Sequence, residues 1–178
     1  MFDKLKEKIY QFSLKKQHKG ASAYPDWEKV KTVLLLFDSD DSQQNLPIKQ
    51  LVKELSAEGK RVTAWGYTNQ KDIIPTTLPN FFVFGKNQVN FWGKPHQFDV
   101  MDHFIDKHYD ILLDLTLDNS LPMRYLSLLA PVDFRAGRQT DTEPYPNDLM
   151  IAIDQDKDAP FLFDQLIFYL KQIKAGKA

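Results

Sequence analysis

One stretch, residues 109–138, constrains the fold more than any other part of the chain. It reads Tyr-Asp-Ile-Leu-Leu-Asp-Leu-Thr-Leu-Asp-Asn-Ser-Leu-Pro-Met-Arg-Tyr-Leu-Ser-Leu-Leu-Ala-Pro-Val-Asp-Phe-Arg-Ala-Gly-Arg. A hydrophobic run ends in Asp114 and Thr116, an apolar helix is predicted over 121–129, and a second short strand over 132–134. Strand, helix and strand in that order form a βαβ unit, and such units build parallel sheets covered by helices.

The same grammar recurs along the chain. Residues 32–37 are uniformly apolar, which suits a central parallel strand with both faces covered. Pro47, with Ile48, Leu51, Val52 and Leu55, predicts a helix that Gly59 ends, followed by a strand at 61–67. Residues 149–153 predict the last strand and 161–173 a long helix packed on the sheet. The strands at 32–37, 61–67, 111–115 and 149–153 are expected to share one mainly parallel sheet. Residues 81–84 and 89–92 flank Gly85 and Lys86, as a hairpin or as two segments broken by a turn. Phe98, Met101, Phe104 and Ile105 outline a helix, and the proline-containing stretches 68–79 and 139–147 are loops. The predicted fold is α/β, a three-layer Rossmann-like domain with a mainly parallel sheet. With 178 residues, a single domain over 1–178 is expected.

Balanced charge, 23 basic against 24 acidic residues, leaves no overall field to attract nucleic acid. The aromatic group Phe81, Phe82, Phe84, Phe91 and Trp92 beside Lys86 and Lys94 resembles a base-stacking platform, but without a basic groove it reads as packing. The absence of cysteine removes disulfides, thiolate metal sites and cysteine nucleophiles. No apolar run reaches signal-peptide or membrane-span length, so a cytoplasmic location is the default expectation.

Residues 1–20 form a basic amphipathic helix: Phe2, Leu5, Ile9 and Phe12 share a face, and Lys4, Lys8 and Lys15 lie off it. Burying four such side chains outweighs the salt-screened attraction of lysines to a lipid surface. The stripe is therefore expected to pack against protein, in the same chain or in a partner or second copy, with no stable membrane attachment.

Candidate ligand residues sit where strands end. Asp38, Asp40 and Asp41 leave the carboxyl end of the first strand, the usual ligand position in open α/β sheets. Three carboxylates there suit magnesium, although strand termination and helix capping explain the same residues more economically. Asp114 and Asp118 are expected to face the same crevice. Arg135 and Arg138, around Gly137, have the guanidinium forks that hold phosphate or carboxylate. The four histidines show no metal spacing, and the seven scattered glycines form neither a phosphate loop nor a dinucleotide fingerprint. No metal and no cofactor are expected.

Residues 33–51, with Asp41-Ser-Gln-Gln-Asn-Leu-Pro, resemble the first strand, loop and helix of heptosyltransferase-type glycosyltransferases. Residues 109–137 are similar to their later Asp-Leu strand, helix and Arg-x-Gly strand. The resemblance covers the acceptor-side half of those enzymes and implies Asp41 as the candidate catalytic base. The chain departs from it at Asp40, where glycine is usual, and at Asn119-Ser-Leu, and the sugar-nucleotide half is missing. The whole chain more closely resembles an uncharacterised family of small bacterial proteins. Residues 34–40 also resemble the first motif of haloacid-dehalogenase-type magnesium phosphohydrolases, but no lysine stands between Lys107 and Lys157 to supply their expected Lys. The expected function is a non-catalytic binding or interaction module. A glycosyltransferase component that needs a partner for its donor site is the alternative, with a phosphohydrolase third.

Overall fold

The computed structural model describes residues 2–17, 22–39, 45–70, 73, 78–96, 102–141 and 146–173. Val33, Leu34, Leu35, Leu36 and Phe37 are all fully buried, and this unbroken run makes β1 (Thr32–Asp38) the spine of the sheet. It pairs in parallel with β2 (Arg61–Thr68) on one side and with β4 (Tyr109–Asp114) on the other. β3 (Phe81–Gly85) extends the sheet beyond β2, while β5 (Val132–Arg138) and β6 (Leu149–Ile151) extend it beyond β4. The order is β3-β2-β1-β4-β5-β6, with every pairing parallel, so the chain winds outward in both directions from the β1–β4 seam. The α/β, Rossmann-like reading of the sequence holds.

Alternation along β1 divides the core into two layers. Val33, Leu35 and Phe37 meet α2 (Leu46–Ala57) and α5 (Ala159–Gln172) through Leu51, Leu55, Leu162 and Leu166. Leu34 and Leu36 face the other way, toward Phe104 of α3 (Asp102–Ile105) and Met123 and Leu126 of α4 (Leu121–Leu129). Gly59, at φ +80°, provides the left-handed turn that stops α2 and starts β2.

Of the two readings of 81–92, the hairpin does not form. β3 lies parallel to β2, and a 3-10 turn, Lys86–Gln88, follows it, held by the Gln88 side chain accepting from the Gly85 amide at 3.1 Å. Beyond it Asn90 accepts from the amides of Trp92 and Lys94, which leaves Val89 a single antiparallel bridge to Pro95.

Within the chain, α1 (Phe2–Gln17) packs on the outer side of α4, and through a different face from the stripe of Phe2, Leu5, Ile9 and Phe12. Its buried residues are Tyr10 and Leu14, set against Tyr125 and Leu128, and not the phenylalanine stripe. Phe2, Leu5 and Phe12 are 65%, 45% and 72% exposed. Arg124 supplies the physical reason. A guanidinium enclosed between two helices needs an acceptor, and only the face carrying Glu7, Tyr10 and Leu14 brings one. No helix among the described residues is long and apolar enough to cross a membrane.

Candidate functional site

Two carboxylates stitch the β1–β4 seam. At its carboxyl end Asp38 accepts hydrogen bonds from the amides of Leu117 at 2.6 Å and Asp118 at 2.8 Å, tying the end of β1 to the loop after β4. Burial pushes the Asp38 carboxyl up to about 6, against the pull of those two amides and with some help from neighbouring Asp118 and Asp114. At the amino end Asp110 accepts from the amides of Lys31 at 2.7 Å and Thr32 at 2.8 Å. Partial burial works to raise Asp110, but these bonds and the Thr32 hydroxyl hold it below the usual carboxylate range. Asp38 thus ties the end of β1 to the loop after β4 at the point where the winding of the sheet reverses.

Beside the seam, over the carboxyl ends of β4 and β5, lies a cavity of about 310 Å³. The loop after β4 contributes Asp114, Thr116, Asp118 and Asn119, and α4 contributes Arg124 and Ser127. The end of β5 adds Arg138 and the residues after it, Asn147 closes one side, and Tyr10 and Leu14 of α1 form a wall. Gly137, paired in register with Asp114, makes the space possible. A Cβ at Gly137 would stand 2.7 Å from the Asn147 amide nitrogen and 3.0 Å from the Asp114 Cβ.

The electrostatics of this cavity are unevenly settled. Burial raises the Asp114 carboxyl, and the Thr116 hydroxyl at 2.6 Å, the Thr116 amide at 3.1 Å and the charge of Arg138 offset only part of that rise. The Ser127 hydroxyl lies beside the same carboxyl and also moderates it, yet it has no partner at full hydrogen-bonding geometry among the described residues. The buried Asn147 carbonyl oxygen is likewise unbonded. Buried polar atoms are nearly always paired, so the Asn147 side-chain oxygen stands out among the described residues of this cavity. Arg138 forms no ion pair among the described residues. Arg124, in contrast, is fully engaged: both its terminal nitrogens reach Glu7, and its guanidinium carbon lies 4.0 Å from the Tyr10 ring centre. Burial alone would lower Arg124, but the Glu7 pair overrides it and holds it firmly protonated.

The candidates named from the sequence divide accordingly. Asp114, Asp118 and Arg138 line the cavity, and Asp38 closes the neighbouring seam. Arg135 is not in the lining: its Nε donates to the Ser127 carbonyl at 3.1 Å and its Nη2 to the Ala130 carbonyl at 2.8 Å, capping the end of α4. Asp40 and Asp41 lie outside the described residues. Among the described residues no group of three or more His, Asp or Glu side chains is placed to hold a metal ion. Tyr10, Arg124, Ser127 and Asn147 carried no site signal in the sequence, apart from Arg124 as the one charge on an otherwise apolar helix.

A doubly wound α/β domain with a polar cavity over its strand ends defines the class. Within that class the chain belongs to a family of unknown function, DUF6913, whose model matches residues 3–173. No curated protein and no solved structure gave a match. The resemblance to heptosyltransferase-type glycosyltransferases finds no support in these comparisons.

Proposed function

We propose that this protein is a non-catalytic binding module whose ligand is a small polar molecule held in the cavity over β4 and β5. The observation that carries the reading is the set of polar groups facing one space: the Arg138 guanidinium, which forms no ion pair among the described residues, the unpaired side-chain oxygen of Asn147, and the Ser127 hydroxyl beside the Asp114 carboxyl. A ligand with an anionic group toward Arg138 and hydroxyl or amide donors toward Asn147 satisfies all three. Asp114, whose carboxyl is raised by burial, lines the same space and gives the ligand a further polar partner beside Arg138. The reading involves no permanent membrane anchor, and a cytoplasmic setting fits the cysteine-free sequence.

The test is mass spectrometry of small molecules released by denaturing protein purified under native conditions. The expected result is one polar species in near-stoichiometric amount with the natural protein and its loss with Arg138→Ala. Retention by Arg138→Ala at the same level overturns the reading.

A further inference from the structure

α1 presents two faces, and only one is used by the fold. The buried face meets α4 through Tyr10 and Leu14. The other carries Phe2, Leu5 and Phe12 into solvent, with Phe12 72% exposed. Residues 2, 5, 9 and 12 fall within one narrow sector of the helix, and Lys4, Lys8 and Lys15 fall along one flank of it. Lys6 lies on the other flank, its ammonium 4.8 Å from the centre of the Phe91 ring.

The apolar surface continues beyond the helix. Phe2 meets Phe91 edge-on at 5.9 Å, and Phe91 meets Trp92 edge-on at 5.1 Å; Phe91 is 59% exposed. Between this loop, α1 and α4 lies a groove of about 210 Å³, lined by Ile9, Trp92, Tyr125 and Leu128 together with the polar Ser13, Asn90 and Lys94. An exposed apolar stripe flanked by lysines thus borders a groove with a mixed lining that includes Lys94.

From this arrangement we infer that α1 and the Phe91–Trp92 loop form a reversible docking surface for an anionic lipid bilayer. Charge selects the occupant. The chain as a whole carries a net charge of -1, yet α1 holds Lys4, Lys6, Lys8, Lys15 and Lys16 against Asp3 and a Glu7 already bonded to Arg124. A second copy would bring lysines against lysines in a two-fold contact through the same face. A sheet of lipid phosphates offers the opposite charge and, beneath it, an apolar layer for phenylalanine, leucine and tryptophan tips. Such contact lies in the interface plane without spanning it, and salt weakens it.

The test is flotation of the full-length protein with large vesicles of phosphatidylcholine alone and of phosphatidylcholine with about one-third phosphatidylserine. The expected result is recovery with the anionic vesicles only, falling at least about tenfold when salt rises from about 0.1 M to about 1 M, where the screening length shrinks from roughly 10 Å to roughly 3 Å. Phe2→Ser with Phe12→Ser should abolish flotation while leaving the melting temperature unchanged, since both side chains are exposed. Absence of the natural protein from the anionic vesicle fraction overturns the inference. So does equal flotation of the double variant, or a salt-insensitive dimer in sedimentation that the same substitutions dissociate.

Discussion

Glu7 and Arg124 are 117 residues apart in sequence and meet in a two-pronged pair, with Nη1 2.7 Å from Oε2 and Nη2 2.8 Å from Oε1. This contact fixes α1 on α4 and so builds one wall of the cavity. The bond to Arg124 holds the Glu7 carboxyl below its ordinary value, so the stability it contributes is present at neutral pH and lost as pH falls below the usual glutamate range. Glu7 is nearly half exposed, which reduces the worth of the pair. A double-mutant cycle with Glu7→Gln and Arg124→Met, read by chemical denaturation, should give a coupling of about 1–2 kcal/mol at pH 7 that shrinks toward pH 4.

Asp38 behaves in the opposite sense. An acid whose native pKa lies above its unfolded value favours folding at low pH, and that contribution disappears as pH climbs from 3.8 to about 6. Asparagine at this position keeps an oxygen for the amides of Leu117 and Asp118 and carries no charge. Asp38→Asn should therefore gain stability relative to the natural protein as pH rises from 4 to 7, by about 1–2 kcal/mol. Paired thermal denaturation across that range provides the check.

The two arginines flanking Gly137 should separate cleanly. Arg135→Met removes two hydrogen bonds to the carbonyls that end α4, a loss of about 1–3 kcal/mol in urea denaturation. Arg138→Ala breaks no ion pair among the described residues but removes a charge that favours the ionised form of the buried Asp114, so it should cost about 1 kcal/mol or less, below the cost of Arg135→Met.

These residues also show what the sequence can and cannot convey. The βαβ unit, the buried run of β1 and the helix at 121–129 were legible because periodicity and length report burial directly. The end of β5 was not. Periodicity predicts a short strand over 132–134, whereas β5 runs on through Arg135 to Arg138 between β4 and β6. The face that α1 buries within its own chain is not legible for a related reason. Hydrophobicity favoured the phenylalanine stripe, while the deciding factor was a charge 117 residues away that required Glu7. Of the site, the acids at strand ends could be anticipated from topology, but Asn147 depends on close packing against Gly137 and Ser127 on the way α4 lies over Asp114, and no local pattern reveals either.

Gly137→Ala tests that packing. The added methyl group would stand 2.7 Å from the Asn147 amide nitrogen, so Asn147 must move into the cavity or β5 must shift away from Asp114. A cost of about 1–3 kcal/mol is expected from calorimetric unfolding.

The central claim is that the cavity over β4 and β5 binds a ligand, and amide chemical-shift mapping with a library of small polar metabolites tests it most directly. The account predicts at least one compound that perturbs Thr116, Asn119, Ser127, Arg138 and Asn147 together, with the perturbation lost in Arg138→Ala. Perturbations confined to other surfaces, or unchanged in Arg138→Ala, would contradict it.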